Sequence, residues 1–152
     1  MPENASAAAS TVPPISIYGR IGITLGVKNL HSDQDAAKLV EARLSTSVLR
    51  SLLQHGLDES DVHELVIPRR TLSHRKARRE RLTQDESDRA MRVARILALA
   101  GEVFGEEERA LRWLRKPHSR FERRSPLDLL ITESGARLVE EALHQIDDGI
   151  FV

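Results

Sequence analysis

The chain of 152 residues contains no cysteine, few aromatic residues and no long apolar run. The absence of cysteine excludes disulfide bonds and thiolate metal sites, and it favours a reducing cytoplasm. Because Trp113, Tyr18 and three phenylalanines are the only aromatic residues, the core must consist mainly of Leu, Ile, Val and Ala, which favours helix packing. No segment is apolar enough to cross a membrane, and the N-terminus lacks the pattern of a signal peptide. We expect a soluble cytoplasmic protein with no membrane partner.

The features of an enzyme are missing as well. The six histidines are scattered and lack metal-binding spacing such as HExxH. The glycines of GITLG are followed by neither the lysine nor the helix of a phosphate-binding loop. Carboxylate pairs such as Glu140–Glu141 lie on predicted helices as ordinary solvated charge. We therefore expect a binding protein without catalytic activity, cofactor or metal ion.

Apolar residues recur with helical spacing from Ser32 to the end of the chain, which predicts an all-α protein of about eight helices. Residues typical of helix ends mark the bounds. Ser32 or Asp33 caps the first of these helices, and Thr83 with Glu86 forms a capping box at the start of a long one. The last helix is predicted over residues 133–148, where Gly149 ends it.

The N-terminal segment has a different character. Residues 1–14 are small and polar, and they predict a mobile tail. Residues 15–27 alternate apolar side chains at Ile21, Ile23 and Leu25, but three glycines interrupt the pattern. A short strand and an extended arm are both consistent with this segment.

Positive charge is concentrated in one stretch, IPRRTLSHRKARRERL. From Arg69 to Arg81 it holds seven basic residues and one acidic residue, Glu80, a net charge of +6 in a chain whose total charge is zero. A short predicted helix, DESDVHEL, precedes this stretch, and Pro68 is expected at the first position of the next helix. Two short helices joined by a tight turn, the second dense in arginine, predict a helix-turn-helix.

The second of these two helices is expected to bind DNA. Leu72 is its inward residue, so the opposite face carries Arg70, His74 and Arg78, with Ser73 beside them. Such a helix fits the major groove, where residues near its N-terminus reach base edges. The candidate base contacts are Arg70, Ser73 and His74. The candidate phosphate contacts are Arg69, Arg75, Lys76 and Arg79.

The basic stretch also has simpler interpretations. It can be a solvated face without a partner, or it can meet an acidic protein or the chain's own acidic residues. Solvated faces, however, normally mix the two signs of charge. RNA remains possible as a partner, but the sequence lacks the aromatic residues on which RNA bases are expected to stack. We therefore favour double-stranded operator DNA. Because a single helix-turn-helix binds weakly, we expect a homodimer. The apolar segment around Ile96 to Ala100 is a candidate dimer interface, although core packing explains it equally well.

Four segments beyond Gly56 occur in an order that resembles the Xre/MbcA/ParS antitoxins, the partners of RES-domain toxins. They are IPRRTLSHRK, LTQDESDRAMRVARILALAGEVFG, RWLRKPH and SPLDLLITESGARLVEEALHQIDDGIFV. In the last, PLDLL, Thr-Glu-x-Gly, Val-Glu-x-x-Leu and a glycine followed by apolar residues match in order and spacing. The resemblance departs from the family pattern at Val66, where such turns often have glycine, and it does not extend to the segment before Ser32.

The resemblance implies a type II antitoxin in which an Xre-like helix-turn-helix domain precedes a small helical toxin-binding domain. Such a protein would cover the active site of a NAD-degrading RES toxin and, in a higher-order complex with it, repress their shared promoter. The implied division is a flexible arm over residues 1–31, a DNA-binding and dimerisation domain over residues 32–100, and a toxin-binding domain over residues 101–152.

The end of the chain indicates how a toxin would be blocked. Chain ends are usually polar, yet this one finishes with three apolar residues after a glycine that can turn the chain out of the last helix. We expect this tail to enter the toxin's substrate cleft, where carboxylates would meet basic groups that otherwise hold NAD phosphates. The alternative is that Ile150 and Phe151 pack onto the chain's own core. The predicted toxin contacts are Glu140, Asp147, Asp148, Gly149, Ile150, Phe151 and Val152.

Two further functions remain open. The chain can be a stand-alone helix-turn-helix regulator whose C-terminal half binds a small ligand or only dimerises. It can also be a protein-interaction adaptor whose basic stretch is incidental. A DNA affinity that falls steeply with salt would argue against the adaptor, because an adaptor would not bind DNA.

Overall fold

The computed structural model describes residues 13–150, and within them it contains nine α-helices, one 3₁₀ turn and no strand. The predicted all-α fold is confirmed, and the eight helices predicted from Ser32 onward correspond to α2–α9. The helices are α1 (Ile17–Leu25), α2 (Asp33–Glu41), α3 (Ser47–Gln54), α4 (Glu59–Leu65), α5 (Arg69–Ala77), α6 (Gln84–Phe104), α7 (Glu107–Arg115), α8 (Pro126–Leu129) and α9 (Glu133–Asp147), with the 3₁₀ turn at Ser119–Phe121.

Both alternatives predicted for residues 15–27 are wrong, because this segment contains helix α1. The helix is capped by Ser16, whose Oγ accepts a hydrogen bond from the N–H of Gly19 at 3.1 Å. Ile21 and Leu25 are one helical turn apart and buried, whereas Ile23, which a strand would place beside them, is 54% exposed. Since α1 packs against α6 and α3, the flexible arm predicted over residues 1–31 is wrong where it includes this helix. Most of the predicted mobile tail, residues 1–12, lies outside the described residues.

Helix α6 is the centre of the fold. Its first turn forms the predicted capping box, in which the N–H of Glu86 donates to Thr83 Oγ1 at 3.1 Å and the N–H of Thr83 donates to Glu86 Oε1 at 2.8 Å. Helices α1, α2, α7 and α9 pack around it. Ile96 and Ala100 are fully buried within the single chain. Core packing therefore explains this apolar segment, and its alternative interpretation as a dimer interface is wrong.

Helices α4 and α5 form the predicted helix-turn-helix, and the turn between them is well anchored. Val66 and Ile67 are buried in the core, and the carbonyl oxygen of Val66 accepts a hydrogen bond from Arg89 at 3.3 Å. Val66 has a φ of −118°, so this turn does not need the conformational freedom of glycine. Pro68 precedes the first helical residue as the N-cap, one position earlier than predicted.

The C-terminal helices close over an aromatic cluster. Trp113 packs against the rings of Phe104, His118 and Phe121, with centroid distances of 5.2–6.3 Å. Helices α8 and α9 approach so closely that a Cβ on Gly135 would lie 1.9 Å from the carbonyl oxygen of Leu129, so only glycine fits there. These contacts fix the start of α9 against the rest of the domain.

In the part of the chain from residue 13 to residue 150, every helix is too short or too polar to cross a membrane.

Candidate functional site

The outward side of α5 and the residues just after it form a strongly basic surface. We call this the basic surface and define it by its exposed members, Arg69, Arg70, Ser73, His74, Lys76, Arg78 and Arg79. Of these residues, Arg69 forms an ion pair, with Glu59 at 3.7 Å, and both of those side chains are about 70% exposed. Such an exposed pair contributes little to stability. Among residues 13–150, no acidic side chain pairs with the other four Lys and Arg residues of this surface, so their charge remains available to a partner.

The three predicted base contacts share one side of α5. Arg70, Ser73 and His74 are spaced like neighbours on a helix face, and all three are exposed. The hydroxyl of Ser73 donates a hydrogen bond to the carbonyl oxygen of Arg69 at 3.1 Å, which leaves its oxygen free to accept one. Leu72, the predicted inward residue, is partly buried and packs against the core. The orientation predicted for α5 is thus present in the structure.

Arg75 faces a different way from the other basic residues of α5. Its Nε lies 3.1 Å from Glu86 Oε1, and its Nη1 lies 3.1 Å from Glu80 Oε2. Hydrogen bonds to Glu86 and then to Glu80 raise the pKa of Arg75 above its ordinary value. Because two carboxylates of its own chain hold this guanidinium, we infer a structural role for Arg75. Its predicted phosphate contact stays a prediction.

Glu86 is the buried partner in this arrangement. Burial alone raises the pKa of a carboxyl group, but the backbone N–H of Thr83 and the guanidinium of Arg75 both donate hydrogen bonds to Glu86, and the net effect lowers its pKa. One carboxylate thus caps α6 and holds α5. The position of the basic surface is therefore set by the first turn of the central helix.

A depression beside α5 brings further residues next to the basic surface, and the sequence patterns did not reveal them. Its volume is about 420 Å³. Arg50 reaches it from α3, and Thr46, the N-cap of α3, makes no side-chain capping bond. No local pattern points to Arg50, because it lies two helices before the basic stretch and only packing brings it there. The lining residues are Ser45, Thr46, Arg50, Lys76, Arg79, Glu80 and Arg81.

Hydrogen bonds hold the chain that follows the basic surface against the loop between α2 and α3. Arg43 donates from Nε to the carbonyl oxygen of Leu82 at 2.7 Å and from Nη2 to that of Arg81 at 3.0 Å. Arg81 donates in return to the carbonyl oxygen of Arg43 at 3.0 Å. These bonds use backbone acceptors, and within residues 13–150 no carboxylate pairs with either arginine. The positive charge of Arg81 therefore remains available at the depression.

In the C-terminal half, α9 carries an acidic flank that turns toward α6. Glu133 accepts hydrogen bonds from Arg92 at 3.0 Å and from Arg95 at 3.1 Å. Although burial raises the pKa of Glu133, these two arginines outweigh it and lower the pKa. Glu140 lies two turns further along the same flank, 3.9 Å from Arg95. Glu140, a predicted toxin contact, therefore already has a partner in its own chain, whereas Asp147 remains exposed.

The end of α9 has the geometry predicted for the exit of the tail. Gly149 has a φ of +76°, and its N–H donates to the carbonyl oxygen of Ile146 at 3.1 Å. The N–H of Ile150 donates to the carbonyl oxygen of Gln145 at 2.8 Å, which completes a Schellman motif. Ile150 is 52% exposed, so its predicted alternative, packing onto the chain's own core, is wrong. Phe151 and Val152 lie outside the described residues.

Two segments of the chain match known protein families. Residues 35–95 match the family described as the antitoxin Xre-like helix-turn-helix domain. Residues 99–149 match the family described as the antitoxin Xre/MbcA/ParS C-terminal toxin-binding domain. The basic surface lies in the first of these segments, and α9 lies in the second.

Three proteins similar to this chain are each named Antitoxin Xre. A protein of Pseudomonas putida named Antitoxin Xre is 38% identical over 130 residues, which cover 86% of this chain and 82% of that protein. Antitoxin Xre of Yersinia enterocolitica is 35% identical over 86 residues, or 56% of this chain and 58% of that protein. Antitoxin Xre of Photorhabdus laumondii is 33% identical over 82 residues, which cover 53% of this chain and 55% of that protein.

Proposed function

Because the chain belongs to the Xre/MbcA/ParS family of antitoxins, we propose that its partner is a RES-domain toxin that degrades NAD. The family has a toxin-binding domain and a helix-turn-helix, so a toxin and DNA are the two partner classes. The antitoxin binds this toxin through its C-terminal half and stops NAD degradation by covering the active site. The observation that carries the proposal is the match of residues 99–149 to a toxin-binding domain.

The tail after α9 is the proposed blocking element. The Schellman motif at Gly149 directs the chain away from α9, and Ile150 is exposed rather than packed on the core. Asp147 and Asp148 are also exposed at this end of the helix. A carboxylate-bearing apolar tail suits a cleft that holds an adenine nucleotide by its phosphates, because basic groups in such a cleft attract carboxylates.

The basic surface is the proposed DNA-binding site, through which the antitoxin represses its own promoter together with the toxin. Arg70, Ser73 and His74 contact base edges in the major groove, and Lys76 and Arg79 contact phosphates. Their charges have no internal acidic partner in the described part of the chain, and this supports the assignment. Arg50, which lies on α3, is a further proposed phosphate contact.

We also propose that the DNA-bound form is a homodimer. One α5 helix covers one half-site, and two copies are needed to read a site of two halves. The toxin joins this dimer in a higher-order complex. DNA binding and dimerisation lie in residues 32–100, and toxin binding lies in residues 101–152. Helix α6 crosses the boundary between these two parts.

The runner-up function is a stand-alone helix-turn-helix regulator without a toxin partner. It shares the basic surface and the homodimer with the proposed antitoxin. It gives no function to the exposed Ile150 or to the match of residues 99–149.

Co-expression with the adjacent open reading frame tests the proposal. A RES-domain neighbour should arrest growth and deplete NAD when expressed alone, and this chain should restore growth and co-purify with it. A promoter reporter should be repressed by the chain, and more strongly by the complex. A neighbour without toxicity or complex formation, combined with repression, would instead support the stand-alone regulator. Complex formation without any DNA binding would support the adaptor.

A further inference from the structure

Helix α9 exposes a large apolar side chain on the flank that faces away from α6. Ala136, Val139 and Leu143 form the buried stripe of this helix. Leu138 lies about 100° around the helix from Val139, outside that stripe, and it is 51% exposed. On the opposite flank, Glu133 is held by arginines of α6. The two flanks therefore differ. On one, the charge of Glu133 is neutralised by arginines of the same chain, and the other presents an apolar side chain to solvent.

The flank with Leu138 borders a depression of about 330 Å³. Its apolar lining consists of the buried Phe121 and Leu129 and the exposed Leu138. Its rim carries both signs of charge, from Arg120, Glu122, Arg124 and Glu141. An apolar centre with a polar rim is the arrangement found at binding hot spots in protein–protein interfaces.

The loop that forms one wall of this depression is held in place before any partner binds. A bridge pairs His118 with Arg124 and closes the loop. Arg120 lies over the ring of Phe121 at 5.4 Å and donates a hydrogen bond to Gln145 Oε1 of α9 at 2.8 Å. Because the wall is already ordered, a partner does not have to order it on binding, and the affinity is higher as a result.

The same contacts connect the depression to the tail. Gln145 accepts the hydrogen bond from Arg120 with its side chain, and its carbonyl oxygen accepts the N–H of Ile150. The depression and the exit of the tail are therefore joined through one residue. A partner that receives the tail lies next to the depression.

We propose that the toxin docks on this face, placing an apolar side chain between Phe121 and Leu138 while acidic and basic groups around that side chain meet the rim. The proposal rests on the function proposed above, and it adds a docking face separate from the tail that blocks the active site. The occupant is the toxin because the face lies within residues 99–149, which match a toxin-binding domain, and because it is continuous with the exit of the tail.

Leu138→Glu tests this docking face, with Ile23→Glu as the matched control. The two side chains are 51% and 54% exposed, so a buried charge is avoided in both, but Ile23 lies outside the toxin-binding segment. The affinity of each full-length variant for a catalytically inactive RES toxin is measured by calorimetry. Leu138→Glu should weaken binding by about 30-fold or more, the loss expected at a hot spot. Leu138→Met and Ile23→Glu should bind as the unchanged chain does.

A second variant tests the charged residues around the depression. Arg120→Glu places a repulsive charge on the rim and breaks the bond to Gln145, and it should also weaken toxin binding. All variants should keep their thermal midpoint and their affinity for promoter DNA. Unchanged toxin affinity in both Leu138→Glu and Arg120→Glu would overturn the docking face while leaving the antitoxin function intact. A chain that fails to bind the toxin without any substitution would overturn the proposed function itself.

Discussion

Arg75 and Glu86 form an ion pair that joins the basic helix α5 to the first turn of the central helix α6. The Nε of Arg75 lies 3.1 Å from Glu86 Oε1, and the two side chains are 22% and 7% exposed. Helix α5 has no fully buried residue, so this pair and the partly buried Leu72 hold it on the core. The positive charge of Arg75 therefore supports the helix that carries the basic surface.

Substitution of Arg75 on α5 and of Arg78 directly after it should separate stability from DNA binding. Arg75→Met leaves the buried carboxylate of Glu86 without its partner and should lower the free energy of unfolding by about 2–3 kcal/mol. Arg78→Met removes an exposed charge and should change stability by less than about 0.5 kcal/mol, while it weakens DNA binding. Urea unfolding and fluorescence anisotropy with promoter DNA measure the two effects. Equal stability of the two variants would contradict the structural role of Arg75.

The lowered pKa values of Glu86 and Glu133 predict a loss of stability in acid. A carboxyl group whose pKa is lower in the folded state stabilises the protein above its ordinary pKa of 4.5, and this contribution disappears as the pH falls through the lowered folded value. The free energy of unfolding should therefore decrease as the pH is lowered below 4.5. Glu86→Gln should be less stable at neutral pH and should show a flatter pH dependence. An identical slope in both proteins would argue against the assignment.

The sequence predicted the helices from Ser32 onward because their caps and apolar spacing are local features. Helix α1 was not predicted, because local features mislead there. Ile21, Ile23 and Leu25 alternate as in a strand, and glycines weaken the helical signal. The contact of α1 with α6 decides the outcome, with Ile21 and Leu25 buried and Ile23 left outside. That contact joins residues far apart in the chain, which a periodicity cannot show.

The same limit applies to the candidate DNA-binding surface. The charge pattern identified α5 and its outward face, since both depend on residues within three turns of one helix. The pattern could not show that Arg75 turns toward Glu86, which lies beyond the end of α5. It also could not show that Arg50 of α3 reaches the same depression as Lys76. In each case the missing information is the packing between helices.

Arg70 and Lys76 should affect DNA binding in different ways. Arg70→Ala removes a proposed base contact and should cost about 1–3 kcal/mol on the correct operator while relaxing sequence preference at one position. Lys76→Ala removes a proposed phosphate contact and should weaken binding to all sequences about equally. Competition between operator and unrelated DNA measures the difference. A uniform loss in Arg70→Ala would assign this residue to the backbone instead.

Arg50 should contribute to DNA affinity although it lies outside the basic stretch. Arg50→Ala should weaken binding and should reduce the dependence of log affinity on log salt by about one unit. Arg112→Ala is the control, because Arg112 is also exposed but lies on α7 with Glu108 as its ion-pair partner. Titrations at several salt concentrations test both variants. If the two variants gave the same slope as the unchanged chain, Arg50 would not be a phosphate contact.

NAD degradation by the purified toxin is the most direct test of antitoxin function. The full chain should inhibit this reaction when it is equimolar with the toxin. A chain that ends at Gly149 retains α9 and the basic surface but lacks residues 150–152, so it should bind promoter DNA normally and leave the toxin active. Undiminished NAD degradation in the presence of excess full chain would contradict the antitoxin function. Full inhibition by the shortened chain would contradict the proposal that the tail is the blocking element.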